Sequence, residues 1–113
     1  MGTAQQLEQI EVNIKDAKHM VKLANALVKL EKNENFKILI GEGYFIEEAA
    51  RLVAAKSNIQ MQSPEQQKFL DSGIMGLGSL QQFFVKIRAM GEHAENSIIA
   101  DEETQAELLG MGD

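Results

Sequence analysis

From Leu7 the apolar positions step by alternating threes and fours through Ile10, Ile14, Ala17, Val21, Ala24 and Val28. That is a heptad seam held for just over three repeats, and it predicts one long amphipathic helix. A second row, Met20, Leu23, Leu27 and Leu30, opens beside the seam over the C-terminal half. The expected helix therefore buries a narrow face early and a wide one later. At about 1.5 Å per residue it reaches roughly 40 Å, too long and thin to form a core by itself.

The polar stretch Lys32, Asn33, Glu34, Asn35 interrupts this pattern, and Asn is a good helix cap. A second helix is expected to begin near Asn33 or Asn35, with Phe36, Leu39 and Ile40 as its short apolar face. Gly41 and Gly43 bracket Glu42, and two glycines so close are costly in a helix interior, so a break or kink is expected before Tyr44. Phe45, Ala49, Leu52 and Val53 resume helical spacing to about Lys56, and Ser57 to Gln62 reads as a polar loop. At Ser63, Pro64, Glu65, Gln66 the signals agree: Ser caps, Pro suits the first helical position, and Gln completes a capping box. The helix that starts at Pro64 carries a seam of Leu70, Gly73, Leu77, Leu80, Phe84, Ile87, Gly91, Ala94 and Ile98.

Two long seams separated by a shorter helical segment predict an all-α fold, a long antiparallel helical hairpin with a kinked helical segment between its two long helices. The 113 residues have room for one domain, and a single helical domain over 1–113 is expected. One proline, one tyrosine and no tryptophan agree with helix throughout. The segment 101–113 lacks a convincing apolar face; it either extends the helix or forms a mobile acidic tail, and its last residues are expected to fray.

Charge and cysteine content narrow the class. The net charge of -6 comes from the C-terminal end: residues 1–63 carry eight acidic and eight basic groups, whereas residues 92–113 carry seven acidic groups and no basic one. Nucleic-acid affinity rests on neutralising phosphates, so an acidic chain without a basic stripe is a poor partner for DNA or RNA. No apolar run approaches the roughly 18 residues of a membrane span, and the first sixteen or so residues lack a signal-peptide layout. Without cysteine there is no disulfide framework, thiolate nucleophile or Cys-ligated zinc, so the chain suits a reducing compartment or is indifferent to redox state, and cytosolic synthesis is expected.

Candidate chemistry is sparse. Gly73, Gly76 and Gly78 loosely resemble a phosphate loop but lack the preceding strand and the Lys-Ser/Thr ending that give such loops their mechanism. A close helix crossing or a bend near 73–78 explains them better. His19 and His93 lie among charged residues without a second ligand at i+3 or i+4, so no metal is expected, and no organic cofactor either. Glu47 and Glu48 with Arg51, and Glu8 and Glu11 with Lys15, have the spacing of helix-surface ion pairs. No constellation supports an enzyme.

The stretch Asn-Glu-Asn-Phe-Lys-Ile-Leu-Ile-Gly-Glu-Gly-Tyr-Phe-Ile-Glu-Glu-Ala-Ala-Arg-Leu-Val at Asn33 to Val53, and again the segment Leu77 to Met90, resemble a group of small, mostly uncharacterised helical proteins of tailed bacteriophages. The resemblance covers most of residues 5–98 and is densest at Gly43 to Val53. It brings no catalytic residues with it. It implies a protein made in the bacterial host cytoplasm, either incorporated into the virion as a minor component or acting in assembly.

The expected function is therefore non-enzymatic: a phage structural or assembly protein acting through helix-mediated oligomerisation and protein binding. The alternative is an anti-defence or host-takeover protein that sequesters a host protein or nucleotide signal. A homo-oligomer is expected, with another phage or host protein as a further partner. The residues expected to carry association are Met20, Leu23, Leu27, Leu30, Tyr44, Phe45, Phe83 and Phe84. Phe83 and Phe84 are adjacent and cannot both lie on one seam, and the second row of the first helix needs a covering surface.

Overall fold

A computed structural model describes residues 2–111. The described chain is helical and contains no strand. Helix α1 spans Thr3–Lys32, a single turn α2 spans Glu34–Phe36, a π-helical stretch covers Lys37–Glu48, and α3 spans Ala49–Lys56. After a 3-10 turn at Ile59–Met61, α4 runs over Pro64–Met111. The architecture is the expected one: two long antiparallel helices with a shorter, irregular helical segment between them in the chain.

The boundaries have local causes. Asn33 stands in extended conformation at the end of α1, and its side chain accepts a hydrogen bond from the Phe36 amide at 3.1 Å. At the start of α4 the capping box is complete: the Gln66 amide donates to Ser63 Oγ at 3.1 Å, and the Ser63 amide donates to Gln66 Oε1 at 3.2 Å. In the loop, the Asn58 side chain accepts from the Gln60 amide at 2.9 Å. Two further amides close the end of α3: Gln62 Nε2 donates to the Lys56 carbonyl at 2.9 Å, and Gln67 Nε2 donates to the same carbonyl at 3.1 Å and to that of Met61 at 2.8 Å. The polar loop expected over Ser57 to Gln62 is thus ordered by side chains that supply the partners its carbonyls would otherwise lack.

At Gly41 and Gly43 the expected break or kink takes the form of a change in winding. The backbone stays helical from Lys37 to Glu48 but winds more widely, as a π-helix, and no described residue has a positive φ. π-Helices are usually single-turn bulges, so a stretch of 12 residues is unusual. The winding sets Gly43 against its own helix, where an added Cβ would lie 3.2 Å from the Ile38 carbonyl oxygen. Beyond Asp101 the helix persists to Met111, with Asp101, Gln105 and Leu108 half-buried at helical spacing. Gly112 and Asp113, where fraying is expected, lie outside the described residues.

The described residues form two compact units, one made of the segments up to Leu27 and from Lys86 onward, the other of Val28–Val85. In the first, Ile14, Leu27, Ile87 and Ala94 are buried. Its two helices approach closely at Gly91, whose neighbours across the interface are Ala24 and the Met20 carbonyl. In the second, Leu52, Leu70 and Leu77 are buried, with Leu70 at 2 % exposure. There Gly73 admits Leu52, whose methyl carbons would stand 3.3 and 3.4 Å from an added Cβ, while Gly76 and Gly78 have open space beside them. Within the expected crossing at 73–78, only Gly73 is therefore used inside the chain. An ion pair between Lys56 and Asp71 joins α3 to α4.

Candidate interaction surfaces

In the first unit the small side chains of Ala17, Ala89 and Ala94 leave an open groove of about 490 Å³ between α1 and α4. Met20 and Met90 supply flexible apolar walls, and Asn13, Asp16, His93, Ser97 and Asp101 form a polar rim. Both histidines are exposed, His93 on this rim and His19 on the outer side of α1. Among the described residues no three His, Cys, Asp or Glu side chains gather in a metal-holding group. No described helix is long and apolar enough to cross a membrane.

The second row of α1 divides. Leu27 is buried and Met20 is half-buried, while Leu23 and Leu30 face outward. Val28, placed on the seam by the heptad pattern, is exposed instead. After Ala24 the inside position is thus reached in three residues rather than four.

In the second unit the aromatic residues assemble around Phe84. Its ring lies 6.0 Å from that of Phe36 and 6.0 Å from that of Phe45, the latter edge-on at 70°. Tyr44 stacks outside Phe45 at 5.8 Å. Phe36, Tyr44, Phe45 and Phe84 are all half-buried, so this cluster fastens the π-helical stretch onto α4. Phe83 leans on Phe84 at 6.2 Å and remains 52 % exposed. Of the adjacent phenylalanines, Phe84 is half-buried within the ring cluster and Phe83 lies at the surface.

The surface of the second unit also carries large apolar side chains, among them Leu39 and Val53, which the spacing places on the apolar faces of their helices and which are exposed instead. Leu39 and Ile46 on the π-helix, Val53 on α3, and Phe69 and Met75 on α4 are all exposed, Phe69 at 75 % and Met75 at 71 %. A signal for Phe69 is present in the sequence: it precedes Leu70, and two neighbours on one helix cannot both face the core. A shallow depression of about 440 Å³ lined by Leu39, Ile40, Gly43, Tyr44 and Glu48 lies on the π-helical stretch.

Two charged pairs lie near this surface. Arg51 Nε donates to both carboxylate oxygens of Glu48, at 3.1 and 3.0 Å. These hydrogen bonds, aided by the charge of Arg51, hold the Glu48 carboxyl below its ordinary pKa and raise that of the guanidinium. Lys37 reaches Glu34 at 3.9 Å.

Comparison with known protein families, with curated proteins and with solved structures finds no match to this chain. The functional reading therefore rests on the surfaces.

Proposed function

We propose that this protein works by binding polypeptides, including copies of itself, and that it catalyses no reaction. The observation that carries this reading is the outward set of large apolar side chains, Leu39, Ile46, Val53, Phe69, Met75 and Phe83, on helices whose cores are already filled by other residues. Single exposed apolar residues are ordinary on a protein surface, but this number on one unit of a small chain is a partner-binding feature. Burying such surface is worth roughly 25 cal/mol per Å², so association recovers free energy that the isolated chain forgoes. The resemblance at Asn33 to Val53 supports a phage setting, as a structural or assembly protein of the virion. Sedimentation at micromolar concentration tests the association: a strict monomer of 12.5 kDa sinks it. Mass spectrometry of purified virions tests the setting. Absence from virions, with a host protein recovered on the purified chain, would move the reading to host takeover.

A further inference from the structure

We infer that α4 pairs antiparallel with α4 of a second copy, crossing at Gly76 along the exposed face formed by Phe69, Ser72, Gly76, Ser79 and Phe83. This deepens the self-association proposed above and rests on it. All five residues are exposed and recur by threes and fours, on a different face of the helix from Leu70, Gly73, Leu77 and Phe84. From Ser72 to Val85 the chain carries no charged residue. An exposed helix face is normally where charges are placed, and their depletion is the compositional mark of an interface centre.

Gly76 gives the second argument. A glycine inside a helix lowers its stability relative to alanine. Gly73 and Gly91 have a reason within the chain, since each admits a side chain or backbone of another helix. Gly76, like Gly78, has none: neither φ is positive, and nothing lies within 4 Å of a Cβ built on either. Gly76 differs in lying on the exposed uncharged face, where a close approach by another molecule gives it a use.

The order of side chains along the face identifies that molecule as a second copy. Phe69 and Phe83 lie equally far before and after Gly76, with Ser72 and Ser79 between. In an antiparallel pair with its two-fold axis at Gly76, Phe69 of each copy meets Phe83 of the other, and small residues meet at the crossing. Opposed helix dipoles favour this direction. The phenylalanines are about 21 Å apart along the helix. A fully buried Phe covers about 150–250 Å², so at 75 % and 52 % exposure the four rings of a pair offer on the order of 500 Å². Met75 at 71 % exposure, together with the serines and the glycine backbone, brings the contact close to the roughly 1,000 Å² a specific interface needs.

The chain has no cysteine, so single-cysteine variants report the geometry directly. A disulfide requires Cα atoms within about 7 Å. Under mild oxidation Gly76→Cys is expected to form a covalent dimer. Ser72→Cys and Ser79→Cys, each alone, are expected to stay uncrosslinked but to link when mixed; Ile59→Cys, in the exposed connecting turn, is the control. Phe69→Glu is expected to weaken association at least tenfold with unchanged far-ultraviolet circular dichroism. A wild-type chain that is strictly monomeric overturns both this face and the self-association reading. A wild-type oligomer that survives Phe69→Glu, with no Gly76→Cys dimer, overturns the face alone. Efficient linking of all three single variants overturns the antiparallel direction.

Discussion

Gly91 of α4 faces Ala24 of α1 so closely that a methyl group on the glycine would fall 2.3 Å from the alanine Cβ. The obstacle is a carbon fixed to the backbone, so relief requires the helices to separate. Overpacking of this kind costs roughly 1–3 kcal/mol, against about 1 kcal/mol gained when Ala replaces Gly in a helix. Gly91→Ala is expected to be destabilising by up to about 2 kcal/mol, and Gly91→Val by more. Gly78, with open space beside it, is the control: Gly78→Ala should stabilise by up to about 1 kcal/mol. Urea unfolding followed by circular dichroism measures both, and a stabilised Gly91→Ala would show that the close approach does not exist in solution.

The Ser63 capping box makes a second, local prediction. Ser63→Ala removes the acceptor for the Gln66 amide and is expected to cost about 1 kcal/mol, whereas Ser63→Asp keeps an acceptor and adds a charge suited to the helix N-terminus. Equal stability of the alanine and aspartate variants would mean that the cap contributes nothing.

The two adjacent phenylalanines should behave differently in the monomer. Phe84 touches the rings of Phe36, Phe45 and Phe83, so Phe84→Ala is expected to cost about 3 kcal/mol and to loosen the π-helical stretch. Phe83→Ala, at an exposed position, should cost under about 1 kcal/mol. Amide hydrogen exchange over 37–48 offers the sharper check: protection should fall in the first variant and hold in the second.

The Glu48 and Arg51 pair predicts a pH effect of defined sign. Since hydrogen bonds from Arg51 lower the folded-state pKa of Glu48, the pair contributes above the unfolded carboxyl's pKa and its contribution is lost as pH falls through the lowered folded value. Carboxyl-carbon NMR titration is expected to show Glu48 titrating below an ordinary exposed glutamate, and Arg51→Gln should return it to the ordinary range. An unchanged Glu48 titration in Arg51→Gln would remove the pair as the cause.

What the sequence determined by itself is whatever one helix decides alone. The caps at Asn33 and Ser63 follow from side chains reaching amides a few residues away, and all nine seam positions of α4 from Leu70 to Ile98 are buried or half-buried because period and handedness belong to a single helix. Tertiary structure decided what depends on a second element. The pattern offers both Leu27 and Val28 to the inside of α1, and only the packing of the folded chain selects Leu27. Phe83 and Phe84 are equivalent in sequence, and the rings of Phe36 and Phe45 draw Phe84 inward. The three glycines at 73–78 look alike in sequence, and Leu52 gives one of them a partner. At Gly41 and Gly43 composition signals only a weakened α-helix; in the folded chain the winding widens rather than breaks, with Phe36 and Phe45, on either side, packed against Phe84 of α4.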